Sequence, residues 1–397
     1  MRGVWYNSNV SEPISYSLYL HIPYCQVRCA YCDFNTYAGF NDQIPAYARA
    51  LATEITGVGA AAGRPPAHTV FFGGGTPSLL PLDALGLILD AVRASFKLAD
   101  DSELTLEANP GTVTRDYLLG LRGLGINRLS FGVQSSHPHE LRLLDRLHLF
   151  EDAAQAVSWA RAAGFDDLNL DLIFALPHQT LDQWRQTVDR TLALGPDHVS
   201  AYALSLEHGT PMRAWVYRGL LPMPDPDLAA DMYLLAHELL KQNGFAQYEI
   251  SNWSRPGHTC RHNLQYWRNL PYLGFGAGAH GYAAGQRYSN VLAPGAYIER
   301  LSDGAPTSFP TSAARQQTTA LSRDDEIGET MMMGLRLTQE GISLAEFARR
   351  FGQPLKERFG REVRQLTARG LLETVGDQLR LTEAGRLLGN QVFLEFV

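Results

Sequence analysis

Short apolar runs alternate with amphipathic stretches from residue 14 to about residue 207. Such runs predict buried strands, and apolar positions three and four residues apart predict helices. The predicted strands are SLYLHI, HTVFFGG, ELTLEA, RLSFGVQ, NLDLIFALP and HVSAYALSL, and the predicted helices between them cover 44–62, 81–97, 113–124, 137–163 and 181–194. Strands that alternate with helices form parallel sheets with right-handed crossovers. Six such repeats, where a full barrel has eight, predict an incomplete (β/α)6 barrel over residues 1–210.

Two further segments follow the predicted barrel. Residues 211–318 are rich in Gly, Pro and aromatic residues and have one clear helical pattern near 227–243, so we expect an α+β extension that packs on the barrel. Residues 319–397 contain helical patterns near 343–351 and 354–369, a hairpin pattern in LLETVGDQLRLT and a final helix. This order predicts a small domain like a winged helix. The predicted fold class is therefore α/β, with three domains.

Composition and charge exclude several classes of protein. Hydrophobic residues make up 45% and charged residues 19% of the 397 residues, which is typical of globular chains. A net charge of -7 opposes broad binding to nucleic acid or to an anionic membrane surface. The first residues, MRGVWYNSNVSEP, lack the pattern of a secretion signal, and no apolar run reaches about 18 residues. We expect a cytoplasmic protein with no nucleic-acid partner, in which any contact with the inner membrane is made through a partner.

Three of the four cysteines stand directly after the first predicted strand, at the spacing C-x3-C-x2-C. Cys25, Cys29 and Cys32, here called the cysteine trio, can bind three corners of a cubane iron–sulfur cluster and leave one iron open. The alternative is a tetrahedral zinc site completed by His21 or Cys260. Structural zinc sites usually combine two separated ligand pairs, whereas this chain has one compact trio. The trio also lacks the spacing of a disulfide framework, which favours a metal in a reducing compartment.

Glycine and polar residues follow the other predicted strands. The loop FGGGTP at 72–77 lacks the lysine of a phosphate-binding loop, and its glycines allow close approach of a ligand. Glu107, Gln134 and Asp171 lie near the ends of the next three strands, and Arg146 follows shortly after. Barrel enzymes build their active sites at this end of the strands. Each residue has an ordinary alternative, such as a helix cap or a surface ion pair with a nearby aspartate.

The motif CQVRCAYC at 25–32, together with the predicted partial barrel, resembles the signature of the radical S-adenosylmethionine (SAM) superfamily. In that superfamily the three cysteines hold a [4Fe-4S] cluster, and SAM chelates the open iron. The chain is most similar to the coproporphyrinogen-dehydrogenase-like branch, over nearly its whole length. The resemblance implies that Tyr31 packs near adenine, that Gln134 and Asp171 contact the ribose, and that Arg146 pairs with the carboxylate. The full set of SAM-binding residues that it implies is Tyr19, Tyr31, Gly74, Gly75, Thr76, Glu107, Gln134, Arg146 and Asp171.

Two departures separate this chain from the coproporphyrinogen dehydrogenases of that branch. Those enzymes have a further cysteine two positions after the third one, where this chain has Phe34. They also carry a longer N-terminal extension, whereas only 24 residues precede Cys25 in this sequence. Both departures oppose porphyrinogen decarboxylation.

The sequence HNLQYW at 262–267 resembles the H-N-x-x-Y-W motif of the HemW family of heme chaperones. The resemblance implies a heme site in which His262 offers a ring nitrogen to the iron, while Tyr266 and Trp267 pack on the macrocycle. Asn263 would orient the imidazole or a propionate. In an arbitrary protein such a stretch is more often a packed turn. We expect Cys260 to be buried, with a second axial ligand or a thioether partner of heme as its alternative roles.

The first functional hypothesis is a heme chaperone that carries a [4Fe-4S] cluster, SAM and heme. It would deliver heme to an apo-hemoprotein such as a respiratory cytochrome, without coproporphyrinogen oxidase activity. The alternative is an oxygen-independent coproporphyrinogen III oxidase, or a related radical SAM enzyme acting on a tetrapyrrole, with flavodoxin or ferredoxin as reductant. A DNA-binding regulator is a third hypothesis, but acidic residues interrupt the basic face of the helix predicted at 354–369.

Overall fold

The structure is a computed structural model that describes residues 14–302 and 307–397. The expectation that the first residues carry no secretion signal falls on residues 1–13, outside the described residues. The strands of the first half are β1 (Tyr16–Ile22), β2 (Tyr24–Cys25), β3 (Tyr37–Ala38), β4 (Pro66–Gly74), β5 (Lys97–Ala108), β6 (Arg128–Gln134), β7 (Asp167–Phe174) and β8 (His198–Ala203). Six of them run parallel in the order β1-β4-β5-β6-β7-β8, as predicted for an incomplete barrel. The short strands β2 and β3 pair with each other beside the cysteine trio.

Helices connect the barrel strands, namely α1 (Ile44–Ala61), α2 (Leu82–Ser95), α3 (Arg115–Gly123), α4 (Pro138–Leu143), α5 (Phe150–Ala162) and α6 (Leu181–Ala193). At the start of α6, Thr180 Oγ1 accepts a hydrogen bond from Gln183 N–H, and Gln183 Oε1 accepts one from Thr180 N–H, so a capping box begins the helix. The stretch predicted as one helix over 137–163 is two helices. Asp145 has a left-handed φ of 56° just after α4, and Arg146 lies in the loop that follows. Hydrophobic periodicity did not reveal this break.

Side chains alternate across each barrel strand, and the two faces differ in polarity. Leu18 and Phe72 belong to the main apolar core that the surrounding helices cover. The opposite faces of the strands carry polar groups that contact one another across the barrel interior. Ser130 Oγ, for example, donates a hydrogen bond to Asp171 Oδ2 at 2.8 Å. The barrel therefore has an apolar outside and a polar inside.

The next elements are α7 (Pro211–Tyr217), α8 (Pro226–Gln242), β9 (Ala246–Glu249), β10 (Asn252–Ser254), α9 (Arg261–Trp267), β11 (Tyr272–Phe275), β12 (His280–Ala283), β13 (Gln286–Asn290), α10 (Pro294–Ser302) and β14 (Arg315–Ala320). Strand β11 pairs with β1 and continues through β12 and β13 to β14, while β10 and β9 extend the sheet beyond β8. The sheet thus has twelve strands among the described residues. These added strands are only three to six residues long, too short for a clear period-two pattern.

The last part of the chain has its own apolar core. Its elements are α11 (Arg323–Gly334), β15 (Ile342–Ser343), α12 (Leu344–Phe351), α13 (Leu355–Ala368), β16 (Leu372–Val375), β17 (Gln378–Leu381), α14 (Glu383–Leu387) and α15 (Gly389–Phe393). Three helices precede a hairpin whose turn contains Gly376 with a φ of 60°, and β15 completes a small antiparallel sheet. This is the element order of a winged helix. We call residues 321–397 the C-terminal domain.

Candidate functional site

A cavity of about 430 Å³ opens at the carboxyl ends of the barrel strands. Its volume lies in the range of small-molecule sites, about 300–1,000 Å³. The wall combines residues of the cysteine loop with the ends of β4, β5, β6, β7 and β8. Eleven residues expected at a cluster and SAM site line it together: Cys25, Cys29, Cys32, Tyr31, Gly74, Gly75, Thr76, Glu107, Gln134, Arg146 and Asp171.

Backbone hydrogen bonds shape the cysteine loop. Cys32 N–H donates to Cys29 O at 3.1 Å, which closes a tight turn between the second and third cysteines. Ala30 N–H donates to Leu144 O at 3.3 Å, and Ala30 O accepts from Met212 N–H at 2.9 Å. The loop is therefore held between the segment after α4 and the start of α7.

The three sulfurs are spread more widely than the ligands of a single ion. Among the described residues, the cysteine trio is not one of the groups whose ligand atoms all lie within 4.8 Å of one another. Thiolates on one zinc ion, at a Zn–S distance of about 2.3 Å, lie closer than that. His21 does not serve as a fourth ligand, because its two nitrogens are hydrogen-bonded to Tyr19 Oη and Asn35 O, each at 3.0 Å. The donor set fits a cubane cluster with one open iron.

Burial disfavours ionisation of two thiols of the trio, Cys25 and Cys32. Burial raises the pKa of Cys25 to about 11, although Thr76 Oγ1 donates a hydrogen bond to its sulfur at 3.5 Å. Burial also raises the pKa of Cys32. Both thiols are therefore protonated at neutral pH in the free protein, and binding of iron displaces their protons.

The glycine loop after β4 packs on the chain that leads into the cysteines. Gly75 N–H donates to Ile22 O at 2.7 Å, and Thr76 N–H donates to Tyr24 O at 2.8 Å. A Cβ added to Gly75 would lie 2.6 Å from Tyr24 O and 2.9 Å from Ile22 O. Glycine is required at this position because the protein's own backbone approaches it closely. The loop thereby fixes the residues immediately before Cys25.

Glu107 and Asp171 form a half-buried acidic pair in the cavity wall. Glu107 Oε2 accepts a hydrogen bond from Gly74 N–H at 3.1 Å, and the two oxygens of Asp171 accept from Ser130 Oγ and Asn169 Nδ2, each at 2.8 Å. Burial, with a contribution from the charge of Asp171, raises the pKa of Glu107 to about 8. Burial also raises the pKa of Asp171. A cationic ligand such as the sulfonium and ammonium of SAM would favour ionisation of this pair.

Arg146 brings a cation to the same wall. Its Nη1 donates to Cys29 Sγ at 3.6 Å, and its Nη2 donates to Gly132 O at 2.8 Å. The Nε is buried and has no hydrogen-bond partner among the residues that the structure describes. A Cβ on Gly132 would lie 3.0 Å from Arg146 Nη2, so glycine makes room for the guanidinium. An arginine in the wall of a cavity fits a carboxylate. The expected alternative, a surface ion pair, is not formed within residues 14–302 and 307–397.

Tyr19 differs from the other residues expected at the SAM site, because it does not line the cavity. It lies three residues before the end of β1, deeper in the barrel, where its hydroxyl meets His21 Nδ1 at 3.0 Å. Its ring stacks on Phe71 with a centroid distance of 6.3 Å. Tyr19 therefore supports the wall from below in this structure, and its contact with SAM stays a prediction.

His262 lies on the barrel floor, at the end opposite to the cysteine trio. Its Nδ1 contacts Thr69 Oγ1 at 2.7 Å, near the start of β4, and its ring stacks on Phe71 at 5.0 Å between centroids. Thr69 uses its own hydroxyl proton in a bond to Ser17 Oγ, so Nδ1 of His262 carries the proton and donates it. The Nε2 of His262 then accepts a hydrogen bond from Tyr266 Oη at 2.9 Å.

This arrangement leaves no free imidazole nitrogen for heme iron. His262 is only 1% exposed, and burial lowers its pKa to about 3, so the ring is neutral. A neutral imidazole is the form that binds iron, but its lone pair is occupied by the hydroxyl of Tyr266. The motif as it is arranged does not fit heme, in contrast to the expectation from the sequence.

The rest of the motif also faces protein. Asn263 Nδ2 donates to Tyr248 Oη at 3.4 Å rather than orienting a propionate. The ring of Trp267 lies under the guanidinium of Arg336, 4.5 Å from its centroid, so this face is covered. Cys260, directly before α9, is fully buried, as we expected, and its thiol donates to a carboxylate on β5. The alternative interpretation of a packed segment describes this arrangement.

Several residues of the cavity were missed in the sequence. Tyr202 and Glu207 come from the end of β8 and the loop after it, and Ser130 lies two positions inside β6. The rim exposes apolar side chains, with Phe34 62% and Leu147 66% exposed. The ends of predicted strands were a usable signal for Tyr202, whereas nothing in the sequence indicates which loop residues turn toward the cavity.

The comparisons with known proteins agree with this geometry. Residues 19–191 match the radical SAM superfamily, and residues 321–388 match the HemN C-terminal domain. The solved structure of coproporphyrinogen III oxidase (HemN) from Escherichia coli, a radical SAM enzyme, superposes with a TM-score of 0.83 over 97% of this chain and 90% of that one. At 24% identity this similarity shows the fold alone. The protein is therefore a member of the radical SAM superfamily with a HemN-like fold.

Curated relatives define the family more closely. Heme chaperone HemW of Mycobacterium tuberculosis is 42% identical over 380 residues, which cover 95% of this chain and 93% of that protein. Heme chaperone HemW of Bacillus subtilis is 37% identical and covers 96% of this chain and 99% of its own. The Escherichia coli protein of the same name is 35% identical, with 96% and 98% covered. The chain belongs to the HemW family.

Proposed function

We propose that this protein is a heme chaperone that holds a [4Fe-4S] cluster through the cysteine trio, binds SAM at the open iron, and carries heme to an apo-hemoprotein. The names of the curated relatives support the heme-carrying role. The observation that carries the cluster and SAM sites is the cavity that joins the cysteine trio to Glu107, Asp171 and Arg146. When bound, the cluster supplies a one-electron donor beside the sulfonium.

The wall residues suggest a division of roles around SAM. The guanidinium of Arg146, which lines the cavity, suits the methionyl carboxylate, because a guanidinium recognises carboxylates in a planar arrangement. Glu107 supplies the negative charge that opposes the cationic part of the ligand. We assign the ribose to Gln134 and Asp171, and the adenine to the ring of Tyr31.

Heme, in this proposal, would have His262 as its candidate ligand, although Nε2 of this ring accepts a hydrogen bond from Tyr266 Oη in this structure. The acceptor is an apo-hemoprotein such as a respiratory cytochrome, and flavodoxin or ferredoxin supplies any electron that the cluster needs. None of the helices within residues 14–302 and 307–397 is long and apolar enough to cross a membrane. We propose action in the cytoplasm, with membrane acceptors reached through a partner.

Phe34 favours carriage of heme over oxidation of a porphyrinogen. It stands where the coproporphyrinogen dehydrogenases have a further cysteine, and it exposes 62% of its surface at the cavity rim. A phenylalanine supplies neither a thiol nor a metal ligand at that position. We therefore propose that the protein lacks coproporphyrinogen oxidase activity.

An anaerobic titration tests the proposed sites together. Iron and sulfide content is measured for the purified protein, followed by SAM binding and then by absorbance changes on adding heme. We expect about four irons per chain, saturable SAM binding, and a heme spectrum that is lost in His262→Ala. Equal affinity for heme in the wild type and in His262→Ala would show that the heme site is wrong. Formation of oxidised porphyrin from coproporphyrinogen III with SAM and reductant would favour the oxidase instead.

A further inference from the structure

Asn169 lies on the inner face of β7, beneath Asp171 of the cavity wall. Residues two positions apart on a strand share one face, and Leu170 between them belongs to the apolar core on the other face. The sheet register places Ser130 of β6 and His198 of β8 beside Asn169. Asn169 is only 3% exposed, so its amide has to find its hydrogen bonds within the protein.

The amide of Asn169 uses its full hydrogen-bonding capacity, which is two N–H groups and two oxygen lone pairs. Its Nδ2 donates to Asp171 Oδ1 and to Ser130 Oγ, each at 2.8 Å. Its Oδ1 accepts from His198 Nδ1 at 2.6 Å and from Ser200 Oγ at 3.1 Å. These four bonds reach three neighbouring strands and hold the amide in one orientation.

Both oxygens of Asp171 are fixed by this amide. One oxygen, Oδ1, accepts from Asn169 directly. The other, Oδ2, accepts from Ser130 Oγ, and that hydroxyl in turn accepts from Asn169. A carboxylate has about four acceptor positions, so Asp171 can also accept from ligand hydroxyls in the cavity. The orientation of the Asp171 carboxylate therefore follows the position of Asn169, although Asn169 itself does not line the cavity.

The direction of each bond follows from the charge of Asp171. An ionised carboxylate only accepts hydrogen bonds, so the nitrogen of the Asn169 amide faces it and the amide oxygen faces His198. Burial lowers the pKa of His198 well below its usual range, so the ring is neutral, donates from Nδ1 and accepts at Nε2. Tyr248 Oη donates to that Nε2 at 2.9 Å and accepts from Asn263 Nδ2 at 3.4 Å. All the donors in this row point toward the cavity wall, and hydrogen bonds in such a row strengthen one another.

We propose that Asn169 is a positioning residue for SAM, because it holds the carboxylate of Asp171 in the orientation that receives the ribose hydroxyls. This role rests on the proposed function, in which Asp171 contacts the ribose. A carboxylate that is already in place has less freedom to lose when the ligand binds. Asn263 of the motif at 262–267 has a part in the same arrangement, since it bonds to the far end of the row of hydrogen bonds at the barrel floor.

The test measures the affinity of the cluster-loaded protein for two ligands by calorimetric titration under anaerobic conditions. One ligand is SAM, and the other is its 2′,3′-dideoxy analogue, in which hydrogen atoms replace the ribose hydroxyls. The ratio of the two Kd values reports the ribose contact, because the methionyl and adenine parts of the ligands are the same. We expect the wild type to prefer SAM by about 10- to 100-fold, which is the usual contribution of a hydrogen bond to a charged group.

Two substitutions of Asn169 remove the amide and keep Asp171. Asn169→Ala should lower the preference for SAM by about fivefold or more, because misdirected hydrogen bonds weaken steeply. Asn169→Thr should lower it to the same extent, since its hydroxyl lies nearer the backbone than the amide did. A β-branched residue suits a strand, so this variant serves if Asn169→Ala does not fold. Added to Asp171→Ala, Asn169→Ala should cause no further loss of preference.

Asn290→Ala is the matched control. Asn290 is also a buried asparagine, and its Nδ2 donates to the buried carboxylate of Glu54 at 2.9 Å, but neither residue lines the cavity. The substitution removes the same kind of bond outside the SAM site. We expect it to lower the free energy of unfolding, measured with denaturant, and to leave the preference for SAM unchanged.

The results that would overturn the role of Asn169 differ from those that would overturn the proposed function. A preference for SAM that is the same in the wild type, Asn169→Ala and Asn169→Thr would refute the positioning role while leaving SAM binding intact. An equal fall of the preference in Asn290→Ala would also refute it, because general loss of structure would then explain the effect. No preference for SAM over the analogue in the wild type would refute the ribose contact of Asp171 and the role of Asn169 with it. Absence of SAM binding to the wild type would refute the proposed SAM site itself.

Discussion

Replacement of Glu107 by glutamine separates the stability of this protein from its proposed affinity for SAM. The substitution keeps the size of the side chain and an oxygen that can accept the Gly74 N–H, but the new amide cannot ionise. The pKa of Glu107 is raised from 4.5 to about 8 in the folded protein. Between these values the folded form binds more protons than the unfolded form, so this group lowers stability as the pH rises from 4.5 to about 8.

The magnitude follows from the shift. Each pH unit in this window costs about 1.4 kcal/mol, so ionisable Glu107 lowers the free energy of unfolding by about 3 kcal/mol at pH 7. Glu107→Gln should therefore be more stable than the wild type at pH 7, and equally stable near pH 4.5. Denaturant unfolding of the SAM-free protein at several pH values measures this difference.

SAM binding should change in the opposite direction. If the cationic ligand needs ionised Glu107, the wild-type Kd falls roughly tenfold between pH 6 and pH 7 and levels off above about pH 9. Calorimetric titration of both proteins provides the ratio of their Kd values, which cancels the titration of SAM itself. We expect a ratio near one at pH 6 that grows steadily to pH 8. A ratio independent of pH would refute the role of Glu107, and equal stability of the two proteins at pH 7 would refute the raised pKa.

Three further substitutions test other parts of the site. Cys29→Ser should lose the iron and its visible absorbance. Cys260→Ser, which removes a thiol on the barrel floor, should keep both. Iron analysis of the two variants tests this difference. Arg146→Lys should weaken SAM binding by about 10- to 100-fold in calorimetry, since lysine keeps the charge but loses the planar fork of the guanidinium. The absorbance of the cluster should stay the same. An unchanged affinity for SAM would contradict the role assigned to Arg146. Gly75→Ala should lower the free energy of unfolding by about 1–3 kcal/mol, because its Cβ would meet a backbone oxygen at 2.6 Å. Gly123→Ala is the control, since an added Cβ there meets nothing within 4 Å, and it should leave the free energy of unfolding unchanged. Denaturant unfolding measures both variants.

The barrel and its mouth were predictable from the sequence for physical reasons. Parallel strands buried under helices leave strong apolar runs, and their carboxyl ends meet at one rim. The polar residues at those ends, Glu107, Gln134 and Asp171, therefore had to converge, and all three line the cavity. Tyr19 lies as far from the end of β1 as Asp171 lies from the end of β7, yet it does not line the cavity, so position along a strand alone does not decide which side chains reach the mouth.

Other features depend on tertiary contacts that a local pattern does not record. The break between α4 and α5, which places Arg146 at the cavity, depends on the left-handed backbone of Asp145. The sequence on both sides of Asp145 has a helical pattern, so the pattern does not reveal the break. The edge strands of the extension are stabilised by pairing with β1 and β8, not by their own periodicity. The motif at 262–267 indicated aromatic packing around a histidine, but it could not show that Thr69 and Tyr266 occupy both ring nitrogens.

The most direct test of the proposed function is transfer of heme to an apo-hemoprotein. The cluster-loaded protein is saturated with heme under anaerobic conditions, freed of excess heme, and mixed with an apo-cytochrome whose holo form has a distinct absorbance spectrum. We expect the spectrum of the holo-cytochrome to appear as the chaperone loses its heme, and His262→Ala to carry none. Heme that is never retained by the wild-type protein, or that stays on it in the presence of the apo-cytochrome, would contradict the proposal that this protein is a heme chaperone.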